Sequence, residues 1–290
     1  VANITFMQKM ARGSIYAVLS LIALLTLFPF LYVVVISITS EAEVVRRGLV
    51  IIPEAVTFSA YKSVLGSGSG ILPAYQITLF RTIVGTALNL LFTVVGAYVL
   101  SKRALPGRSG LLLFVIFTML FSGGLIPTYM VVRTLELTNT IWALIIPGLI
   151  SVFNLVVVKA FFEQLPVELE ESAKVDGAGE LRVLFGIILP LSLPSIATIG
   201  LFYAVGHWNS YFDAVIYINK SSLMPLQVIL RNILLSSQNQ QNVEQVNDAT
   251  VSSLAIQMAS VIVSTVPILC VYPLIQGHFA KGVMIGAVKG

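Results

Sequence analysis

Charge is scarce in this chain. Of its 290 residues 17 are Lys or Arg and 13 are Asp or Glu, about one in ten against about one in four in soluble domains. So few ions cannot cover a water-facing surface. Cysteine is scarcer still: Cys270 stands alone in an apolar run, which excludes an intrachain disulfide and leaves a packed thiol as the simplest reading. The two histidines, His207 and His278, lie far apart on opposite expected sides of a membrane, so no zinc-like spacing exists and no metal is expected. A phosphate-cradling loop of the GxxxxGK type is absent, and the chain is not expected to hydrolyse nucleotide by itself. The excess of base is small, a formal +4, and it is scattered rather than gathered into a stripe, which argues against nucleic acid.

What the chain has in abundance is apolar length. Hydrophobic residues make up 57 % of it and the mean hydropathy is +0.94, the composition of an integral membrane protein. A bilayer core needs about 20 apolar residues per helix. Such stretches fall at 14–38, 79–101, 111–132, 141–162, 184–206 and 251–275. The expectation is an all-α membrane protein with six transmembrane helices and a single domain over 1–290. The first stretch follows Lys9 and Arg12 but exceeds a signal-peptide core and lacks a small-residue cleavage site, so it reads as a retained helix. Pro29, Pro147, Pro194 and Pro267, with Gly96, Gly148 and Gly200, mark expected kinks or close packing.

Lys102, Arg103 and Arg108 crowd the short connection after the second stretch, and the positive-inside rule assigns that side to the cytoplasm. Both termini are then cytoplasmic, with which Lys174, Arg182, Lys281 and Lys289 agree. Arg46 and Arg47 fall in a long first connection, where charge has less influence. The middles of the spans are almost free of ionisable residues, each of which costs at least about 2.5 kcal/mol there. Neither a proton relay nor an inverted repeat is evident, and an ion-coupled carrier is expected to show one or the other.

The exception to this apolar monotony is 165–194, LPVELEESAKVDGAGELRVLFGIILPLSLP. Leu165, Leu169 and Ala173 recur at helical spacing, with Glu170 and Lys174 four apart on the exposed face. Gly177 and Gly179 supply a turn, after which Leu181, Leu184, Phe185 and Ile188 resume an apolar stripe. The pattern predicts a helix-turn-helix at the membrane surface. Amphipathicity alone favours a linker helix that merely rests at the interface.

The spacing of Glu171, Ser172 and Ala173, then Asp176 and Gly177, then Ile188, Leu189 and Pro190 closely resembles the EAA signature of ABC importer permeases. Ser172 stands where that signature usually has its first alanine, a small-for-small change. The likeness covers almost the whole chain and is nearest to the smaller, six-helix permease of maltose-type carbohydrate importers. It implies a MetI-like permease fold, with 163–183 as a cytoplasmic coupling region that docks on an ATP-binding subunit through Glu171, Ser172, Ala173, Asp176 and Gly177. The run QGHFAKGVMIGAVKG resembles the family's C-terminal tail, which implies that 276–290, with Lys281, Gly282 and Lys289, reaches the ATPase interface. GHWNSYFDA, from Gly206 to Ala214, is similar to the Trp-Asn motif of sugar permeases, although an interfacial aromatic anchor fits it equally well.

The implied partners are a second, larger permease, two ATP-binding cassette subunits carrying ATP and magnesium, an extracytoplasmic solute-binding protein and the lipid bilayer. This chain itself binds no cofactor in that scheme. MLFSGGLIPTYMVV and GLFYAVGHWNSYFDA look most like permeases for oligosaccharides from plant or algal polymers, including alginate and rhamnogalacturonan fragments. The polar run LLSSQNQQNVEQVND gives Gln238, Asn239, Gln240, Gln241 and Asn242 as candidate contacts to the binding protein, or simply a solvated loop. Candidates for the substrate path are Asn89, Asn154, Tyr203, Trp208 and Asn209; for Asn89 and Asn154 interhelical packing is the stronger explanation. An ion-coupled sugar carrier and a non-transporting membrane scaffold stay open beside the importer.

Overall fold

The computed structural model describes residues 6–66, 69–241 and 254–270, and nearly all regular structure in them is helical. It divides into two compact units, one from the described parts of 1–69 and 230–266, the other from those of 70–229 and 267–290.

In the first unit α1 (Phe6–Ser37) is one helix of 32 residues that Pro29 does not end. Its apolar side chains stay largely uncovered within this chain, as at Leu24, Phe30 and Leu31. A helix apolar all round is a membrane span or the core of something larger. Two short helices follow, α2 (Glu41–Arg47) and α3 (Ser59–Leu65). Ile36, Val44 and Val50 form a small core on which Leu254 and Met258 of the helix Leu254–Cys270 pack. Glu43, buried, organises the polar side of this unit. Its two oxygens accept the backbone N–H of Glu54 at 3.0 and 3.1 Å, and one accepts Arg47 at 2.8 Å. Arg46 pairs with Glu54. The arginines that fit the topology poorly are therefore neutralised by their own neighbours.

In the second unit α4 (Ile71–Ser101) is the axis. Its buried residues Thr78, Arg81, Gly85, Asn89, Thr93, Ala97 and Leu100 recur every three or four positions, so a single stripe is covered. After it come α5 (Arg108–Leu120), α6 (Leu125–Thr134), 3-10 turns at Ile141–Leu144 and Ile146–Gly148, and α7 (Val152–Phe162). Then follow α8 (Glu168–Val175), α9 (Glu180–Val183), α10 (Leu189–Leu191), α11 (Leu193–Asn209) and α12 (Phe212–Tyr217), and α13 (Leu226–Gln241), of which only the first turn belongs to this unit. α7 and α11 pack on the α4 stripe. Gly96 faces Leu155 there and Gly200 faces Leu90, so both mark close approaches rather than kinks.

Arg12–Ser37 and Ile71–Ser101 are long and apolar enough to cross a membrane unbroken. The stretches expected as single spans at 111–132, 141–162 and 184–206 are each broken instead. α5 meets α6 at 112°, Ile141–Gly148 meets α7 at 51°, and Glu180–Leu191 meets α11 at 86°. Counting each bent pair as one span gives up to five by length and composition among the described residues, and Leu254–Cys270 is a shorter apolar helix. Local chemistry accounts for the breaks. Ser122, Gly123 and Gly124 interrupt the first pair, and Pro147 with the Ser151 cap the second. In the third the bend falls at Ser192, just before Pro194 in the first turn of α11; ahead of it Pro190 follows a π turn at Leu184–Ile188, in which Leu189 N–H reaches back to Leu184 O.

One expectation changes, and one falls outside the described residues. The polar run after Leu234 is helical through Gln241 rather than a loop, with Asn242 outside the described residues. The tail at 276–290, with Lys281, Gly282 and Lys289, also lies outside them.

The Glu54 N–H bonds hold the Glu43 carboxyl below the usual carboxylate range. A carboxyl depressed on folding stabilises above its unfolded value and loses that stabilisation as pH falls through the folded one. Limited proteolysis of the 48–56 connection is expected to accelerate as pH falls below about 4. Glu43→Gln should make the connection susceptible already at neutral pH and flatten that pH dependence.

Candidate functional site

At the C-terminal end of α4 the charged connection folds as two helices about a turn. α8 ends in a complete Schellman closure: Ala178 N–H donates to Ala173 O at 2.9 Å and Gly177 N–H to Lys174 O at 3.0 Å. Gly177 is the residue past the cap, with φ +80°, a conformation that costs a residue with a Cβ about 1–2 kcal/mol. Ala173, Val183, Leu184 and Ile188 belong to one buried cluster with Ala97 and Tyr98 of α4, which seats α8 and α9 on that helix. Leu181 and Phe185, expected in the same stripe, lie on the neighbouring face and stay exposed.

The acidic side chains here divide into two sets. Glu170 pairs with Lys102, whose ammonium also lies 3.9 Å from the centre of the Tyr98 ring. Tyr98 donates its hydroxyl to Glu180 at 2.6 Å, and Lys174 reaches Glu180 at 2.6 Å. Glu163 is held by Arg108 and by Lys159. The expected Glu170–Lys174 pair is not formed, because each finds a partner on another segment. Hydrogen bonding to Glu180 holds the Lys174 ammonium above its usual range. Glu168, Glu171 and Asp176 are exposed and make no ion pair with any described residue. Ser172 is exposed and turns its hydroxyl to Leu169 O at 3.2 Å.

Further along α4, within the same unit, α4, the 3-10 turns, α7, α11 and α12 surround a cavity of about 510 Å³. Arg81, 3 % exposed, reaches across to Asp213, and its Nη1 also donates to Ser210 O at 3.4 Å. Asp213 accepts besides from the Ser210 hydroxyl at 2.8 Å and Ala214 N–H at 2.9 Å. Asn89 donates from Nδ2 to Gly148 O and Leu149 O, both at 2.8 Å, and its Oδ1 lies 2.7 Å from His207 Nε2. Since that amide oxygen can only accept, Nε2 carries the imidazole proton and Nδ1 is left as an acceptor. Tyr203 shares a hydrogen bond with Thr93 at 2.8 Å and accepts Ser151 N–H at 3.0 Å.

Among the described residues of this unit, the charged and hydrogen-bonded side chains gather in two places, at the α8–α9 end of α4 and around the cavity. The family model for the inner membrane component of binding-protein-dependent transport systems matches residues 5–285. The chain belongs to this family. Protein LplC of Bacillus subtilis (strain 168) is 47 % identical over 295 residues, covering all of both chains. The polygalacturonan/rhamnogalacturonan transport system permease protein YtcP of the same strain is 44 % identical over 278 residues, covering 95 % of this chain and 97 % of its own. A chain in the crystal structure of a bacterial ABC transporter involved in the import of the acidic polysaccharide alginate superposes with a TM-score of 0.86 at 30 % identity. It covers 96 % of this chain and 100 % of its own. The family is one of ABC transporter permeases, inner membrane components that work in a complex with other transporter parts.

Of the residues expected on a permease's substrate path, Asn154 and Tyr203 line the cavity. Asn89 stands behind it, holding His207 and two carbonyls. Trp208 is buried with Tyr75 edge-on at 6.1 Å, not exposed as an interfacial anchor is, and Asn209 is exposed elsewhere. The reading of the sequence missed Arg81, His207, Asp213 and Tyr217. A usable signal was present: Thr78, Arg81, Gly85, Asn89 and Thr93 put small and polar residues on one face of an apolar helix.

Gly85 makes room for His207, since a Cβ there would meet the imidazole at 2.5–2.9 Å. Gly85→Ala is expected to break the Asn89–His207 bond and cost about 1–3 kcal/mol, read as a lower Tm of the purified protein. Gly206→Ala, where nothing lies within 4 Å, should leave Tm unchanged or raise it slightly.

Proposed function

We propose that this chain is the smaller permease of a binding-protein-dependent ABC importer for oligosaccharides, of the acidic kind released from pectin-like or alginate-like polymers. The observation that carries the substrate class is the 44 % identity, over 95 % of the chain, to a permease named for polygalacturonan and rhamnogalacturonan. In this reading the chain crosses the membrane six times with both termini cytoplasmic, and forms half of the translocation pathway beside a larger permease. It catalyses nothing itself. Two cassette subunits hold and hydrolyse ATP with magnesium, and a solute-binding protein delivers the saccharide from outside.

The coupling segment is α8, the Gly177 turn and α9. A docking element that must transmit displacement needs a rigid seat and free charge. The ties of Glu163, Glu170 and Glu180 to α4 and its connections supply the seat, while exposed Glu168, Glu171 and Asp176 supply the charge. Charge pairing of this sort sets register and partner choice more than affinity. Glu171 is assigned the basic group on the cassette subunit, with Ser172 and Asp176 flanking it, Ala173 anchoring the helix from within and Gly177 fixing its end. The segment around Lys281, Gly282 and Lys289 is assigned to the same interface. Residues 238–242 are assigned to the binding-protein side.

Reconstitution with its partners gives the test. Glu171→Ala should lower ATP hydrolysis stimulated by the loaded binding protein tenfold or more, on the order expected for a lost charged contact at an interface, and Gly177→Ala, which strains the turn after α8, should lower it as well. Saccharide uptake should fall in parallel. Uptake that runs on a proton or sodium gradient without ATP would sink the importer and favour a carrier. A stable complex with neither activity would favour a scaffold.

A further inference from the structure

The cavity retains hydrogen-bonding capacity, and it belongs to side chains that are more than nine-tenths buried. Asn154 is 6 % exposed, Tyr217 7 % and His207 8 %, and all three line the same space. Neither the Asn154 carboxamide nor the Tyr217 hydroxyl bonds to any described residue, and His207 Nδ1 is the free acceptor that the Asn89 bond leaves. Polar groups at such depth ordinarily have partners, because each unmet one costs about 1–3 kcal/mol. They are not sealed in: the fully enclosed, unpartnered side-chain atoms among the described residues are Arg81 Nε, Thr82 Oγ1, Thr86 Oγ1 and Ser192 Oγ.

The charges beside them are already spent. Both terminal nitrogens of Arg81 face Asp213 or Ser210 O, and its Nε is enclosed. Asp213 accepts from Arg81, Ser210 and Ala214. What the cavity offers is a neutral set: one amide that donates and accepts, one phenol that does the same, and one imidazole nitrogen that accepts. Phe202, 49 % exposed, adds an apolar surface to the lining. A volume of about 510 Å³ lies within the usual range for small-ligand sites, about 300–1,000 Å³.

We infer that this cavity is a saccharide subsite that binds the hydroxyls of one glycosyl ring and does not recognise a carboxylate. The identity of the ligand rests on the importer reading; the preference for hydroxyl over carboxylate rests on the paired state of Arg81 and Asp213. Where the substrate is acidic, its carboxylates are read elsewhere on the pathway. Asn154, His207 and Tyr217 are then binding residues of this subunit.

The test uses the assembled transporter in proteoliposomes, with Cys270→Ser to remove the native thiol and Gly206→Cys as a reporter. Gly206 lines the cavity and has open space for a side chain. The rate of maleimide alkylation is measured with galactotriose, with trigalacturonate and with tricarballylate, which carries carboxylates but no sugar. Both saccharides are expected to slow alkylation and tricarballylate to leave it unchanged. Tyr217→Phe, which keeps the ring stacked on Tyr129, should require about fivefold more saccharide for the same protection, the scale of one lost hydrogen bond. Asn154→Leu should do likewise, and Tyr217→Phe alone suffices should Asn154→Leu fail to assemble. Protection by neither saccharide, equal protection by tricarballylate, or undiminished protection in Tyr217→Phe would each overturn the subsite. ATP hydrolysis stimulated by the binding protein, read on the same liposomes, separates the two ideas. Protection without stimulation keeps the subsite and sinks the importer, whereas stimulation without protection does the reverse.

Discussion

In hydrocarbon no water is at hand for a freed backbone carbonyl, so a broken helix survives only where another group takes over its hydrogen bonds. Asn89 does this for the break ahead of α7. Its two amide protons go to Gly148 O and Leu149 O, and its oxygen then fixes the His207 ring. One side chain on α4 thus closes a backbone defect on one neighbour and orients a side chain on another. The cavity exists because of that closure: the irregular backbone at 141–151 forms one wall, α11 the other, and α4 joins them. Gly85 is part of the same arrangement, since the imidazole occupies the place of its missing Cβ.

The electrostatics follow the same economy. Arg81 and Asp213 come from segments 132 positions apart, and burying such a pair costs more than it returns unless every group is met. Here nearly every group is met, by Ser210 and Ala214 as well as by each other. The pair consequently leaves the cavity neutral. At the α8–α9 end the logic inverts, because there the acids that hold α8 in place are neutralised and the remaining acids face outward without ion-pair partners among the described residues. One end of the unit uses charge to close itself; the other keeps charge for a partner.

Composition and apolar run length were enough to read a helical membrane protein, because bilayer thickness fixes the length of an apolar stretch whatever surrounds it. The Gly177 turn was legible for a similar reason: a local backbone demand selects glycine, and the Schellman bonds satisfy it within six residues. The exposed position of Glu171 and the buried one of Ala173 also follow from helical spacing. What could not be read were partnerships set by the tertiary fold. Glu170 and Lys174 satisfy a helical pairing rule, yet Lys102 and Glu180 are nearer once α8 is seated on α4. Arg81, at the margin of an apolar run, does not disclose that its counter-ion follows a Trp-Asn motif. His207 was weighed only as a metal ligand, and its acceptor nitrogen is defined by Asn89 alone. Two of the three breaks were marked by Pro147 and Pro194, the α5–α6 break by no proline, and the size of each bend depends on which groups take up the freed carbonyls.

α4 runs without interruption between the two polar sites, while the segments around it are jointed. Arg81 on α4 and Lys102, the residue that caps its C-terminus, stand 21 residues apart, about 31 Å at the helical rise, which matches the roughly 30 Å thickness of the hydrocarbon. Its paired charges therefore sit where the two faces of the bilayer would fall. Such an unbroken helix would carry a shift imposed at its C-terminal end to Arg81 with little loss. The facing wall, α11, is joined to α10 at a break where the same shift could be absorbed. The difference in stiffness alone would make the cavity wall formed by α4 move against the walls that bend.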